Sequence, residues 1–232
     1  MIKKYILIIF LVLFAGNLNA ETKTYKMVFV PASEKGDESD YTSLIEITEK
    51  LTGLNIDTIK VTDYNAAVEA MRAGRAHIAW YGGKTYVKAA EIANAEAFAA
   101  GVRPGEKDAG YYTYFVVKKD SALKEFKDVK GKILSLNTIG STSGDLIPQV
   151  ELSKINLSIK NKDHFNKVFY AGSHDACLLA VLNNQSDVCG MSSRNFEARL
   201  EDGTFKKDDV RIIHKSDRVP PPPLAYSKMI PK

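Results

Sequence analysis

The chain has 232 residues, of which 45% are hydrophobic, and a formal net charge of +4 at pH 7. This length allows one large domain or two small ones. The near balance of charge argues against a protein that binds nucleic acid or a membrane surface. The two cysteines and four scattered histidines show no metal-site spacing, so neither a metal nor another cofactor is expected.

The N-terminus has the pattern of a secretory signal. Lys3 and Lys4 precede an apolar run, Tyr5–Phe14, and small and polar residues follow as far as Ala20. This order predicts a signal peptide over residues 1–20 that is cleaved after Ala20, and the apolar run is short for a membrane span. Loss of the two lysines would lower the charge to +2. We therefore expect a soluble, exported protein.

The first half of the chain alternates between strand and helix patterns. The strands are predicted at Tyr25–Pro31, Asn55–Val61, His77–Tyr81 and Ala97–Val102. The helices are predicted at Tyr41–Leu51, Asn65–Ala73 and Thr85–Ala93. This alternation indicates an α/β fold with a mainly parallel sheet and helices on its faces.

The alternation restarts after a turn-rich break, Arg103–Gly110. The strands are predicted at Tyr111–Val117, Ile133–Leu136, Val168–Ala171, Val188–Met191 and Val210–His214. The helices are predicted at Ser121–Val129, Asp145–Leu152, Asp175–Asn183 and Ser193–Leu200. The prolines of Val219–Tyr226 exclude helix and predict an extended crossing.

Two such units suggest two lobes. We expect lobe 1 over residues 21–105, lobe 2 over 106–216 and a crossing back over 217–232. Ligands of open α/β sheets bind beyond the carboxyl ends of strands, so a cleft between the lobes would be lined by strand-to-helix turns.

The turn Gly140–Gly144 has three consecutive hydroxyl residues between two glycines. A nucleophile elbow, G-x-S-x-G, would require serine where Thr142 stands, and no Walker motif is present. Two interpretations stay open. Ser141, Thr142, Ser143 and Gly144 could form an anion cradle at a helix start, or the turn could be an ordinary serine cap with glycine.

Two further turns offer candidate side chains. His174 falls in the first turn of a predicted helix, where it could donate a hydrogen bond to an anion as a neutral imidazole or lie at the surface as a cap. Tyr81 ends a strand just before two glycines. It could form a cleft wall with its hydroxyl pointing inward, or it could be a core aromatic.

The cysteines lie in apolar surroundings. Cys177 belongs to a predicted helix and Cys189 to a predicted strand. We predict that both are small buried residues that are not joined to each other.

Three segments together resemble the phosphonate-binding periplasmic proteins of ABC transporters. They are "TDYNAAVEAMRAGRAHIAWYGG" (Thr62–Gly83), "GSTSGDLIP" (Gly140–Pro148) and "AGSHDACLLAVLNNQSDV" (Ala171–Val188). They occur in the order and at the spacing of that family, and the likeness extends from Tyr25 to Ser227.

The resemblance implies a two-lobed type II periplasmic-binding fold with mainly parallel sheets, a hinge and a closing cleft. It also implies a small phosphorus oxyanion as ligand, an ABC permease of the inner membrane as partner, a monomer and no enzymatic activity. The oxyanion would lie at the helix N-termini of lobe 2. The family's binding residues carry over onto Ser141, Thr142, Ser143, His174 and Tyr81. In the first lobe, the resemblance implies that Ser33, Glu34 and, more weakly, Tyr41 line the cleft.

This sequence departs from the family in two ways. Members that bind aminoethylphosphonate hold its ammonium with two carboxylates, whereas this chain has Arg194 at one of those places and prolines of Val219–Leu224 at the other. We therefore expect a ligand without a cationic tail, unless Glu34 or Glu197 supplies an acid. The family also continues beyond the final strand, so we expect a short version or a fragment.

Two other functions would use the same cleft. One is an exported hydrolase in which Ser141 or Ser143 acts with His174, and the other is a sensor that docks on a signalling receptor. The sequence does not separate transport from sensing.

Overall fold

The computed structural model describes residues 23–32, 37–102 and 107–230. The predicted signal peptide and the candidate residues Ser33 and Glu34 lie outside the described residues. Within the described ranges, no helix combines the length and apolar character needed to cross a membrane.

The elements alternate along the chain as the sequence predicts. The strands are β1 (Thr24–Phe29), β2 (Asn55–Ile59), β3 (Ile78–Trp80), β4 (Ala95–Ala100), β5 (Thr113–Lys118), β6 (Ile133–Leu136), β7 (Lys167–Tyr170), β8 (Val188–Ser192), β9 (Val210–Lys215) and β10 (Pro223–Ser227). The helices are α1 (Asp37–Thr52), α2 (Tyr64–Arg72), α3 (Gly83–Ile92), α4 (Ile147–Lys154), α5 (His174–Leu182) and α6 (Ser193–Glu201).

The strands form two five-stranded sheets of the same plan. The first has the order β2-β1-β3-β10-β4, and the second has the order β7-β6-β8-β5-β9. In each sheet three strands pair in parallel, and the fourth position is a strand that runs antiparallel to both neighbours, β10 or β5. We call β1–β4, β10 and α1–α3 lobe 1, and β5–β9 with α4–α6 lobe 2. The residue boundaries predicted at 105 and 216 stay predictions.

Each sheet is covered on both faces. In β1, Val28 packs into one core cluster while Met27 and Phe29 pack into another on the opposite face, as the two-residue period of a strand requires. In lobe 2, Leu134 and Cys189 likewise belong to separate clusters. Burial of one such large apolar side chain contributes about 1.5–3 kcal/mol, so these clusters hold each lobe together.

Two chain segments cross between the lobes, and they pair with each other. Tyr111, before β5, and Val219, before β10, exchange backbone hydrogen bonds with N–O distances of 3.1 and 2.7 Å. The predicted crossing at Val219–Tyr226 is extended, and its later part is β10.

Three expectations about helices need correction. Ser121–Val129 is not a helix; only a 3₁₀ turn, Phe126–Val129, forms there, because the Asp128 carboxylate accepts from the N–H groups of Lys124 and Glu125 and caps a short turn. The helix predicted from Asp145 begins instead with a π-turn, Thr142–Leu146, and α4 follows. Pro148 explains this start, since a proline cannot donate to the carbonyl four residues earlier.

Helix α1 exists, but two of its apolar residues point away from the sheet. Ile47 and Leu51 are 57% and 79% exposed. Tyr41 and Ile45 pack against the sheet instead.

The prediction that the cysteines are unpaired is wrong in this structure, although both are fully buried as expected. A disulfide joins Cys177 of α5 to Cys189 of β8, with Cα atoms 5.7 Å apart. Packing of α5 on β8 brings the two residues to the usual disulfide distance, and sequence spacing could not reveal that proximity.

Candidate functional site

A cavity of about 180 Å³ lies between the lobes, at the carboxyl ends of the parallel strands. Its lining from lobe 1 includes Phe29, Ala32, Tyr41, Tyr64, Trp80 and Gly82. Its lining from lobe 2 and the crossings includes Tyr111, Ser141, Thr142, Ser143, His174, Ser192, Arg194, Asn195, Arg199 and Pro222. The cavity is therefore formed by both lobes, and its size suits a ligand of a few heavy atoms, below the usual range for drug-sized molecules.

The Ser141–Ser143 turn is both a cap and a cavity wall. The Ser141 hydroxyl oxygen accepts from the Gly144 N–H (3.0 Å) and from Asn137 Nδ2 (3.3 Å). A hydroxyl has two acceptor positions and one proton, so its proton is left to donate toward the cavity. The cap and the cradle are thus compatible, and the structure does not force a choice between them.

Ser143 and Thr142 meet a tyrosine that the sequence reasoning treated only as the start of a strand. The Tyr111 hydroxyl interacts with the side chains of Ser143 and Thr142. Burial raises the pKa of Tyr111, so its hydroxyl remains a proton donor. Its position just after the turn-rich break was the signal that it lies where the chain crosses between lobes.

Gly144 is in the turn but is not placed to bind a ligand through its N–H, which donates to Ser141. A Cβ at this position would overlap the Cβ of Asn137 and lie 2.9 Å from His174 Cε1. Glycine is required here because the side chains of Asn137, His174 and Ser141 pack against it.

His174 is 2% exposed and lies at the first position of α5. Its Nδ1 accepts from the Ser192 N–H (3.3 Å), so in a neutral ring the proton is on Nε2. Burial lowers the pKa of His174 to about 3. The imidazole therefore offers the cavity an uncharged N–H donor.

Tyr81 does not reach the cavity, and the expectation of an inward hydroxyl is contradicted. The side chain is fully buried in the lobe 1 core, and its hydroxyl donates to the Ala67 carbonyl (3.3 Å). Side chains alternate across a strand, so Trp80 at the end of β3 lines the cavity while the next residue turns into the core. Tyr64, at the start of α2, also lines the cavity, and the sequence reasoning missed it.

The aromatic wall of lobe 1 includes Tyr41, which the sequence named as a weaker candidate. Its ring stacks on Phe29 with centroids 4.4 Å apart and lies 4.7 Å from the Trp80 ring. Ala32 is the last described residue before Ser33 and Glu34, and it too lines the cavity.

Direct contacts join the lobes beside the Ser141–Ser143 turn. The Lys84 N–H donates to Thr142 Oγ1 (2.9 Å), and Thr85 Oγ1 donates to the buried Gly140 carbonyl (2.9 Å). Lys84 Nζ also pairs with Asp145 at 2.6 Å. We call these three contacts the cross-lobe clasp.

The Asp145 carboxylate is fixed by several donors. It accepts from Gly140 N (3.2 Å), Gln149 Nε2 (2.6 Å) and the Tyr170 hydroxyl (2.8 Å) as well as from Lys84. Burial raises the pKa of Asp145, but these hydrogen bonds outweigh it and leave the pKa below its ordinary value.

Helix α6 forms the remaining wall. Arg194 Nη2 donates to the carbonyls of Gly101 (3.1 Å) and Ala109, on either side of the first crossing. The guanidinium carbon lies 5.6 Å from the centre of the Tyr111 ring. Arg194 therefore stands in the wall where the family resemblance led us to expect an acid. Within the described part of the chain, no cluster of side chains could hold a metal ion.

Comparison with known proteins gives the same picture at the level of family and fold. The family model described as "ABC transporter, phosphonate, periplasmic substrate-binding protein" matches residues 27–232. The phosphonates-binding periplasmic protein of Escherichia coli (strain K12) is 29% identical over 202 residues, which cover 84% of this chain and 58% of the relative. The phosphate-import protein PhnD of Mycolicibacterium smegmatis is 27% identical over 206 residues, which cover 85% of this chain and 64% of the relative. The chain thus spans about six-tenths of the length of these curated relatives.

Solved structures share the two-lobed fold. A binding protein component of an ABC phosphonate transporter from Pseudomonas aeruginosa superposes with a TM-score of 0.83 at 24% identity, over 91% of this chain and 71% of that one. PhnD1 of Prochlorococcus marinus, solved with methylphosphonate, gives a TM-score of 0.79 at 22% identity, over 90% and 78%. The family match covers most of the sequence, and the chain belongs to the phosphonate periplasmic substrate-binding proteins of ABC transporters.

Proposed function

We propose that the protein is the periplasmic solute-binding component of an ABC importer and that it captures a phosphonate or a related phosphorus oxyanion, such as phosphite or phosphate. The observation that carries this proposal is a buried, water-sheltered set of neutral donors between two lobes. Ser141, Thr142, Ser143 and His174 all line the same small cavity.

These donors suit a tetrahedral oxyanion. Hydroxyls and an imidazole N–H can donate to the several oxygens of one head group, and hydrogen bonds to a charged acceptor are stronger than neutral ones. The names of the relatives support this ligand class, since one is a phosphonates-binding protein and another was solved with methylphosphonate.

Capture would work by hinge closure. The ligand would contact the lobe 2 turn first and then stabilise the closed arrangement, in which Lys84 and Thr85 also reach that turn. A ligand shifts such an equilibrium only through contacts that differ between the two states. The paired crossings at Tyr111 and Val219 would supply the hinge.

A hydrolase is disfavoured by the state of His174. A general base must offer a free ring nitrogen to the attacking hydroxyl, but His174 Nδ1 already accepts from Ser192, and burial lowers its pKa to about 3. We therefore propose that the protein is not an enzyme. Incubation with a phosphonate or phosphate ester, followed by mass spectrometry, should reveal no product.

The cellular setting follows from the same proposal. We expect export to the periplasm with cleavage after Ala20, a monomer in solution, an inner-membrane permease as partner and no nucleic-acid binding. N-terminal sequencing of the exported protein tests the cleavage, and a pull-down of membrane proteins distinguishes a permease from a signalling receptor.

The ligand class is tested by a thermal-shift panel of methylphosphonate, phosphite and phosphate on the purified protein. A ligand at a hundred to a thousand times its dissociation constant stabilises the folded state by roughly 3–4 kcal/mol. Absence of a shift with all three compounds would refute the proposed ligand class.

A further inference from the structure

Helix α6 brings two arginines to one wall of the cavity. Arg194, Asn195, Ala198 and Arg199 line the cavity from this helix, and the spacing i, i+1, i+4, i+5 places them along one helical face. Among the described lining residues there is no aspartate or glutamate, and the two arginines are the charged side chains.

Arg194 has hydrogen-bonding capacity that the protein does not use. Its Nη2 donates to two backbone carbonyls, but its Nε is buried without a hydrogen-bond partner. Within the described part of the chain, Arg194 forms no ion pair with a carboxylate, and its guanidinium lies over the Tyr111 ring. Arg194 is half-buried, and a guanidinium held partly out of water gains from an anion, so the position favours a ligand that supplies one.

Arg199 lies beside it on the same wall and is more enclosed. Its side chain is 10% exposed, with Nε 3.8 Å from Asp175 Oδ1 and Nη1 3.1 Å from Asp202 Oδ2. Neither Nε nor Nη1 makes a hydrogen bond. Because Asp175 and Asp202 lie beside the Arg199 guanidinium, its charge is balanced within the protein, and Arg194 is the arginine of this wall that a ligand can pair with.

Tyr111 contacts both this wall and the Ser141–Ser143 turn. Its hydroxyl interacts with Ser143 and Thr142, while the Arg194 guanidinium lies 5.6 Å from its ring centre. The hydroxyl donors and the guanidinium therefore lie at two places in the lining of the same small cavity, and a ligand that meets both needs an acidic group at each end.

We propose that the preferred ligand carries a second acidic group, a carboxylate or its equivalent one or two carbons from phosphorus, and that Arg194 is the residue that selects it. This inference rests on the proposed function, because it assumes that the phosphorus oxyanion occupies the Ser141–Ser143 turn. The second acid would meet the guanidinium wall, and an ammonium tail would be repelled from it.

Isothermal titration of the intact protein with phosphonoacetate and with ethylphosphonate tests the proposal. The two compounds share a phosphonate head and a tail of similar length, but only the first has a carboxylate. We expect phosphonoacetate to bind roughly tenfold to a hundredfold more tightly, the range for one charge-assisted hydrogen-bonded pair.

Variants identify the residue responsible. Arg194→Gln should bring the two affinities close together, and Arg194→Lys should restore part of the difference. Arg75→Gln, a matched loss of one positive charge at an exposed position outside the cavity, should keep the wild-type ratio. A merely structural role for Arg194 at the crossing would weaken both ligands equally and leave the ratio unchanged.

The outcomes separate the two proposals. If ethylphosphonate binds as tightly as phosphonoacetate to the wild-type protein, or if Arg194→Gln keeps the preference, the second acidic group is refuted and phosphorus-oxyanion binding stands. If neither these compounds nor methylphosphonate, phosphite or phosphate bind, both proposals fail. The wild-type comparison decides even if a variant does not fold.

Discussion

At the scale of single residues, the oxyanion site that we propose uses the uncharged donors of the Ser141–Ser143 turn and His174. His174 stays neutral because its surroundings are dry, and its Nδ1 is occupied by the Ser192 N–H. The residues Ser141 and Ser143 are 1% and 3% exposed. Oriented neutral donors can stabilise an anion without the desolvation cost of a buried cation.

The lowered pKa of His174 predicts an acid-sensitive stability. The folded pKa of about 3 lies below the ordinary value of 6.5, so the stabilisation is complete above pH 6.5 and is lost as the pH falls toward 3. Over that window the free energy of unfolding should decrease by up to about 1.4 kcal/mol per pH unit from this residue alone. Urea unfolding of wild type and His174→Gln at several pH values measures it, and equal slopes for the two proteins would contradict the assignment.

Ser143→Ala should weaken phosphonate binding with little loss of stability, because the Ser143 carbonyl would keep its bond from Thr113. Loss of one hydrogen bond to a charged acceptor costs about 1.5–3 kcal/mol, or roughly tenfold to a hundredfold in affinity. The matched control is Ser186→Ala, a buried serine at the opposite end of the sheet that bonds Ile133 and Val188. Titration calorimetry with methylphosphonate should show a loss only for Ser143→Ala; equal affinities would remove Ser143 from the site.

At the scale of elements, the start of α3 and the turn before α4 hold the lobes together. The cross-lobe clasp uses the backbone N–H of Lys84, the second residue of α3, a buried threonine and one ion pair. The same turn contributes the hydroxyls of the candidate site, so under the proposed function closing the lobes would also complete the site.

Thr85→Val should favour the open arrangement. The change removes the bond to the Gly140 carbonyl and leaves a buried acceptor unpaired, at a cost of about 1–3 kcal/mol. Because only the closed state would bind fully, the apparent affinity should fall in proportion. Small-angle scattering should show a larger radius of gyration without ligand. Thr48→Val, which removes a hydroxyl bond on exposed α1, should leave both quantities unchanged, and a Thr85→Val protein with wild-type affinity would contradict this role.

The disulfide between α5 and β8 should stabilise lobe 2. For a loop of this length, cross-linking is worth roughly 3 kcal/mol through the unfolded chain. Mass spectrometry of the exported protein, alkylated under denaturing conditions without reductant, should find no alkylated cysteine, and the Cys177→Ala/Cys189→Ala variant should unfold at a lower urea concentration. Alkylation of both cysteines under these conditions would show that the bridge is absent.

The sequence predicted the elements better than the positions of single side chains. Periodicity and turn residues located β1 to β9, and the prolines predicted only an extended crossing where β10 forms, because hydrophobic alternation and glycine or proline breaks are local properties. The helix predicted at Ser121–Val129 was wrong because the Asp128 carboxylate caps a short 3₁₀ turn there. Tyr81 was misplaced because a one-residue step along β3 exchanges cavity for core, and the bridge from Cys177 was missed because its proximity to Cys189 is tertiary.

At the scale of the whole molecule, two sheets of the same plan meet across one small cavity. The two crossings pair with each other at Tyr111 and Val219, and Arg194 binds carbonyls on both sides of the first crossing. Under our proposals this arrangement would couple the hinge, the cavity wall and the ligand's tail. Residues such as Tyr64, Tyr111 and Arg199 enter the site only through this assembly, which explains why local sequence did not identify them.

The central claim is that a phosphorus oxyanion binds at the Ser141–Ser143 turn. Titration calorimetry of the wild-type protein and of Ser143→Ala with methylphosphonate, phosphite and phosphate tests it most directly. We predict saturable binding of at least one compound to the wild-type protein, with an affinity that is lower by roughly tenfold or more in the variant. Absence of binding by all three compounds, or the same affinity in both proteins, would contradict the claim.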